Sequence, residues 1–157
     1  MSGVPYGTTL PILTVSDVGM KLFTIGYGGR LPQEFLQLLR VYHIKTVVDV
    51  RLRPDRASMG VYTQAKSPEK GIQGLLRQAE LDYVSFIELG NLFRSDEHWR
   101  ARYRLLLERA GDLLTDRLAS VASPFCLMCA ERRAEDCHRQ DLADYLIKQG
   151  WEVEHIE

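Results

Sequence analysis

All three cysteines of the chain lie in the segment FCLMCAERRAEDCHRQDLADYL, residues 125–146. Cysteine and histidine side chains bind zinc, and a thiol close to positive charge acts as a nucleophile. The residues in question are Cys126, Cys129, Cys137 and His138. They form a zinc site, a reactive thiol site, or a group of core residues that are close only in sequence.

The segment contains four candidate zinc ligands, but the predicted local geometry argues against a zinc site. Cys126 and Cys129 lie three residues apart on an apolar strand, so their side chains face opposite sides. Cys137 and His138 are adjacent on a predicted helix, where neighbouring side chains diverge by about 100°. We therefore predict no bound metal and interpret Cys126 as a small buried hydrophobic residue.

Positive charge surrounds the second cysteine group. Asp136 is the predicted N-cap of the last helix, which places Cys137, His138 and Arg139 in its first turn. Backbone N–H groups and an arginine at a helix start lower the pKa of a thiol and attract anions. This pattern predicts a site for phosphate, sulfate or carboxylate. The alternative is that His138 only packs, because it shares a helical stripe with Leu142.

A charged pair occurs in the apolar stretch VVDVR, residues 47–51. Asp49 and Arg51 are two apart on a strand and therefore share a face. Such a pair at the end of an apolar strand needs a partner, water or a ligand. The sequence leaves open a ligand site and a structural ion pair that fixes the loop after it.

Glycines follow the first predicted strand in GYGGR, residues 26–30. Gly26 and Gly28 allow close backbone approach, and the start of the next helix could hold a phosphate. A dinucleotide fingerprint needs a third glycine at position 31, which is Leu31. No dinucleotide cofactor is therefore predicted.

Strand-like and helix-like patterns alternate from Lys21 onward. They predict strands over 21–27, 45–51, 83–89, 124–130 and 151–157, and helices over 31–43, 72–81, 97–120 (broken at Gly111) and 135–150. Residues 52–71 are polar and predict a long loop, which in a compact domain is often functional. The alternation predicts one Rossmann-like α/β domain over 21–157, with three layers and a mostly parallel sheet. Residues 1–20 are interpreted as an N-terminal tail or an added edge segment.

A parallel sheet would bring the unusual stretches together. Ligands of such sheets lie outside the carboxyl ends of the strands. We therefore expect the strand ends at 26–30, 49–53 and 129–139 to form one site.

Composition limits the class of protein. The chain has 157 residues with 45% hydrophobic and 26% charged residues, as in one globular domain. Its net charge of -1 gives no global basic field for nucleic acid. Three cysteines at low density predict reduced thiols and a cytoplasmic protein. No apolar run approaches the roughly 18 residues of a membrane helix, so we predict no membrane partner.

The motifs together resemble a bacterial and archaeal family known as the domain of unknown function number 488. The resemblance runs from about Phe23 to the C-terminus. It rests on TIGYGGR (24–30), VVDVR (47–51), YVSFIELG (83–90), HWRARY (98–103) and CAERRAEDCHR (129–139). It implies a Rossmann-like domain whose site is built from Asp49, Arg51, Cys129, Glu131, Cys137, His138 and Arg139. It implies no established reaction, although nucleotide or nucleic-acid processing fits it.

A second, partial resemblance is to rhodanese sulfurtransferases. VVDVR and then PFCLMCAERRAEDCHR follow the order of their Asp-Val-Arg strand and their strand that ends in a nucleophilic cysteine. Cys129 would then carry the persulfide. The loop departs from theirs, because Glu135 stands where the rhodanese arginine would be. A carboxylate near a thiolate raises its pKa and opposes nucleophilicity.

The expected function is binding or conversion of a small anionic, nucleotide-like ligand at the carboxyl edge of the sheet. Glu131 or His138 would transfer protons, and Arg51 with Arg139 would clamp the anion. The predicted catalytic residues are Cys129, Glu131 and His138, and the predicted ligand contacts are Gly26, Tyr27, Gly28, Asp49, Arg51, Cys137 and Arg139. No cofactor is predicted, and binding of nucleic acid and homo-oligomer formation are left open. The alternatives are sulfur transfer through Cys129 and a non-catalytic module that associates through its aromatic helix.

Overall fold

The computed structural model describes residues 20–157. The segment predicted as a tail or an added edge, residues 1–20, lies outside the described residues except for Met20.

A sheet of five parallel strands forms the centre of the domain. The strands are β1 (Lys21–Gly26), β2 (Thr46–Asp49), β3 (Asp82–Ser85), β4 (Phe125–Cys129) and β5 (Glu152–Ile156). Their order is β3-β2-β4-β1-β5, and every neighbouring pair is parallel. The prediction of a single Rossmann-like α/β domain is confirmed. The all-apolar sequence FCLMC of β4 is buried on both faces, as expected of a central parallel strand.

Four helices cover the two faces of the sheet. They are α1 (Pro32–Val41), α2 (Gly71–Gln78), α3 (Trp99–Leu114) and α4 (His138–Lys148). Apolar residues of α1 and α2 pack on one face, against a cluster that includes Val47 and Met128. Those of α3 and α4 pack on the other face, with Val48 and Leu127. Within residues 20–157, no helix is both long enough and apolar enough to cross a membrane.

The chain path leaves a crevice at the carboxyl end of β4. β1 and β2 lead into α1 and α2 on one face, whereas β4 leads into α4 on the other. Since β4 lies between β1 and β2, its outgoing connection diverges from both neighbours. A point where neighbouring connections leave in opposite directions is where open α/β sheets bind ligands.

The predicted break of the long helix at Gly111 is wrong. α3 continues through Gly111 to Leu114, and a separate 3-10 helix follows at Asp116–Ser120. A Cβ at Gly111 would lie 2.3 Å from the ring of Tyr145 on α4, so the glycine leaves room for this ring. The glycine therefore allows close helix contact instead of ending the helix.

Candidate functional site

A cavity of about 510 Å³ lies over the carboxyl end of β4. Its wall comes from the end of β1, the loop after β2, the loop before α3, the end of β4 and the start of α4. The predicted site residues that line it are Tyr27, Gly28, Arg51, Cys129, Glu131, Cys137 and His138. The three predicted strand ends thus meet in one place.

Asp49 is a buried anchor and does not line the cavity. Its carboxylate accepts hydrogen bonds from Arg51 Nε (2.9 Å), Arg51 Nη2 (2.7 Å), the Arg51 amide (3.0 Å) and the Tyr83 hydroxyl (2.6 Å). With its side chain fully buried, Asp49 has no access to a ligand. It holds the Arg51 guanidinium in one orientation at the cavity wall.

Arg51 is also supported by an aromatic stack. Its Nη1 donates to the Tyr27 hydroxyl at 3.2 Å, and the Tyr27 ring stacks on Tyr62 with centroids 4.4 Å apart. Burial alone would lower the pKa of Arg51, but its hydrogen bonds to Asp49, the charge of Asp49 and the contact with Tyr27 together outweigh burial, so the pKa is raised. Burial also raises the pKa of Tyr62 to about 12. Arg51 is therefore a permanently charged and firmly oriented part of the wall.

The glycine turn after β1 does not offer its first amides to a ligand. The Tyr27 amide donates to the Cys129 carbonyl at 3.1 Å, and the Gly28 amide donates to the Ala130 carbonyl at 2.7 Å. A Cβ on Gly26 would lie 1.7 Å from the Glu131 carbonyl oxygen. The glycines thus let the ends of β1 and β4 pack tightly, and the predicted phosphate cradle is not available at these amides.

The start of α4 differs from the prediction by one residue. Asp136 ends a 3-10 helix at Ala134–Asp136, and the N-cap of α4 is Cys137. The Cys137 sulfur accepts a hydrogen bond from the Arg139 amide at 3.4 Å. The prediction of Asp136 as the cap is therefore wrong, because Asp136 belongs to the 3-10 helix and the extended residue before α4 is Cys137.

Cys129 and Cys137 are paired in the structure. Their sulfur atoms are in direct contact, their Cα atoms are 7.5 Å apart, and each residue is buried. Composition predicts reduced thiols, and the Cα separation lies beyond the roughly 4.4–6.8 Å of most disulfides. Cys126 belongs to the hydrophobic cluster on the opposite face, and burial raises its pKa. The predicted separation of Cys126 from Cys129 is confirmed.

Arg139 faces the loop between β4 and α4 and does not line the cavity. Its guanidinium donates to the carbonyl oxygens of Glu131 (3.2 Å) and Arg132 (2.9 Å), and its Nη1 lies 3.6 Å from the Cys129 sulfur. It is fully buried, and this burial lowers its pKa. Arg139 therefore positions the loop that carries Cys129 and Glu131.

His138 lies between the β2 end and the cysteine pair. Its Nε2 is 3.0 Å from the Val50 carbonyl oxygen, which can only accept, so we assign the ring proton to Nε2. Its Nδ1 is then an acceptor, 3.6 Å from the Cys137 sulfur. Burial lowers the pKa of His138, so the ring is neutral at neutral pH. Glu131 is exposed, and its Oε2 lies 3.5 Å from the Cys129 sulfur.

The cavity residues that were missed as site residues include three arginines and a tryptophan, namely Arg53, Arg56, Arg94 and Trp99. The polar loop 52–71 and the aromatic helix were noted, and these are the signals that could have found three of them. Including Arg51, four arginines face the cavity against two carboxylates, those of Glu131 and Asp136. Asp49 and Asp55 pair with Arg51 and Arg53, so Arg56 and Arg94 are the wall arginines without an ion pair within residues 20–157.

Two helices on the cavity side are joined through Asp141. This buried carboxylate accepts from Arg100 Nη1 (2.7 Å) and Arg104 Nε (2.6 Å) on α3. Arg100 also donates from Nη2 to the Glu135 carbonyl at 2.7 Å, and its guanidinium lies 4.5 Å from the ring centroid of Trp99. The rim residue Trp99 is thus tied to the turn that precedes Cys137.

One group within residues 20–157 has the donor chemistry of a metal site. Donor atoms of Cys129, Glu131 and Cys137 lie within 4.8 Å of one another. The absence of a bound metal stays a prediction.

Comparison with known families gives a match over most of the chain. The sequence profile of a family described as "Domain of unknown function DUF488" matches residues 32–146, which contain the loops and helices on three sides of the cavity. No curated protein and no solved structure gives a match.

Proposed function

The chain belongs to the DUF488 family, and we propose that it binds a small anionic organic ligand in the cavity over β4. The ligand that we propose is a nucleotide. The observation that carries the proposal is the arginine-rich wall. Arg51 is paired with Asp49 and Arg53 with Asp55. Arg56 and Arg94 also line the cavity and make no ion pair within residues 20–157.

The cavity suits a nucleotide in size and chemistry. Its volume of about 510 Å³ is in the usual range for small-molecule sites. Arginine is the preferred side chain for phosphate, because its planar fork donates two parallel hydrogen bonds. Trp99, half-buried at the rim, offers a ring face on which a base could stack.

Two side chains at the wall can move protons on a bound ligand. Glu131 is exposed to the cavity, and His138 presents a neutral ring. These are the groups of the site that can act as a general acid or base. Sulfur transfer through Cys129 is less well supported, because its sulfur contacts Cys137 and lies 3.5 Å from the Glu131 carboxylate.

Calorimetric titration with adenosine monophosphate and with inorganic phosphate tests the proposal. We expect binding of the nucleotide that weakens with salt. Arg56→Ala and Arg94→Ala should each weaken it roughly tenfold, the scale of a hydrogen bond between charged groups. Arg109→Ala is the matched control, because Arg109 is an exposed arginine of α3 that does not line the cavity.

Two results would count against the proposal. One is the absence of any nucleotide or phosphate binding at millimolar concentration. The other is equal weakening by Arg109→Ala, which would show that general surface charge and not the cavity holds the anion.

A further inference from the structure

The two cysteines of the cavity floor form a unit that the binding of an anion does not use. Both line the cavity, and their sulfur atoms are in contact across the start of α4. The third cysteine, Cys126, is fully buried on the opposite face of the sheet. The fold therefore selects two of three cysteines and presents them together at a cavity.

The backbone holds the two cysteines slightly further apart than a disulfide requires. The Cα atoms are 7.5 Å apart. Disulfides usually have Cα separations of about 4.4–6.8 Å. Formation of the bond therefore requires the start of α4 to move closer to the end of β4.

We propose that Cys129 and Cys137 are a thiol–disulfide exchange site that reacts with low-molecular-weight disulfides entering the cavity. This activity goes beyond anion binding and does not rest on it. Cys137 is the attacking residue and Cys129 the resolving residue.

The surroundings of the two sulfurs assign these roles. The Cys137 sulfur accepts a hydrogen bond from the Arg139 amide at 3.4 Å, and His138 Nδ1 lies 3.6 Å away to take the thiol proton. The Cys129 sulfur has the Arg139 guanidinium at 3.6 Å, but the Glu131 carboxylate at 3.5 Å opposes its charge. A thiolate is stabilised by donors and cations and destabilised by a carboxylate, so Cys137 is the better nucleophile.

The reaction has two balanced steps. Cys137 gives its proton to His138 Nδ1 and attacks one sulfur of the disulfide RSSR. The new bond joins Cys137 to one RS group, and the other RS group leaves as a thiolate that takes the proton. Cys129 then gives its proton to Glu131 and attacks the Cys137 sulfur. The second RS group leaves as a thiolate and takes this proton from Glu131. Two protein thiols are oxidised and one disulfide is reduced to two thiols.

Thiol mapping on the full chain tests the proposal. The reduced protein, freed of reductant, is mixed with bis(2-hydroxyethyl) disulfide, quenched with iodoacetamide, unfolded and mapped by mass spectrometry. This probe is neutral, so its reaction does not depend on the arginines. We expect a bond between Cys129 and Cys137, with Cys126 alkylated as a thiol.

Single variants then test the order of attack. Cys129→Ala should stop at a mixed disulfide on Cys137, and Cys137→Ala should react at least tenfold more slowly than the wild type. Cys126→Ala is the matched control and should react like the wild type. Arg109→Ala, which lies outside the cavity, should also keep the exchange. The neutral probe separates this proposal from the anion-binding function.

Three outcomes would overturn the proposal. The first is that Cys129 and Cys137 remain thiols in the wild type under conditions that fully exchange free cysteine. The second is a mixed disulfide on Cys126 as the main product. The third is a Cys137→Ala variant that reacts as fast as the wild type. The first two are measured on the wild-type chain, so they do not depend on the folding of a variant.

Discussion

Replacing Asp49 by alanine should destabilise the chain strongly. The substitution removes the acceptor of three hydrogen bonds from Arg51 and one from Tyr83. Arg51 is then a buried charge without its partner, because its side chain is only 7% exposed. Removing one partner of a buried ion pair typically costs about 3–5 kcal/mol. That is a large part of a total stability of roughly 5–15 kcal/mol.

The double variant Asp49→Ala/Arg51→Ala separates the contribution of the ion pair to stability from the contribution of side-chain packing. It removes both charges, so no unpaired charge stays buried. Its loss of stability should be smaller than the sum of the two single losses, with a coupling of about 1–3 kcal/mol for residues in direct contact. Asp55→Ala is the control, since it breaks the exposed pair of Asp55 with Arg53 and should leave the unfolding midpoint nearly unchanged.

Urea unfolding followed by circular dichroism and tryptophan fluorescence gives these free energies, provided that the two signals coincide. Our account of Asp49 as the anchor of Arg51 would be refuted by a single-variant loss below about 0.5 kcal/mol, the size of an ordinary surface change. Additive losses in the double variant would refute it as well.

Further expected outcomes concern the glycine contact, the buried imidazole and a buried hydroxyl. Gly26→Ala should lower the free energy of unfolding in urea by at least about 1–3 kcal/mol, because its Cβ would lie 1.7 Å from the Glu131 carbonyl oxygen. Gly60→Ala is the control and should change little, because a Cβ there meets nothing within 4 Å. The pKa of His138 is lowered by burial, so its contribution to stability is present above about pH 6.5 and is lost as the pH falls below this value. His138→Gln should therefore show a shallower loss of unfolding free energy between pH 7 and 5, and parallel profiles would contradict this. Tyr103→Phe should lower the free energy of unfolding by roughly 1 kcal/mol in the same urea assay, because the buried Tyr103 hydroxyl donates to the Leu89 carbonyl at 2.8 Å. An unchanged midpoint would show that this hydrogen bond does not contribute to stability.

The order of helices and strands could be predicted because it is encoded locally. Short apolar runs such as FCLMC and VVDV are too short for stable helices, and the stretches between them have helical spacing. The resulting α/β alternation implies a parallel sheet, and a parallel sheet implies that Arg51, Cys129 and His138 meet at one edge.

The strand order and the direction of single side chains could not be predicted in this way. The position of β4 between β1 and β2 depends on pairing between residues about 80–100 apart, which leaves no local pattern. The first turn of a helix places Arg139 near the loop, but its rotamer turns the guanidinium to backbone carbonyls and away from the cavity. The contact between Cys129 and Cys137 likewise depends on the path of the residues between them.

The joint at Asp141 has a mechanical consequence for the cavity. Hydrogen bonds from Arg100 and Arg104 join α3 to α4. Trp99 at the rim and Cys137 at the floor of the cavity therefore belong to one connected part of the wall. We therefore expect a ligand that displaces the Trp99 indole to shift α3 and α4 together, and not to change the rotamer of Trp99 alone. The loop of residues 52–58 forms another part of the cavity wall and makes no hydrogen bond to Asp141. We expect this loop to be the part that adjusts to ligands of different size.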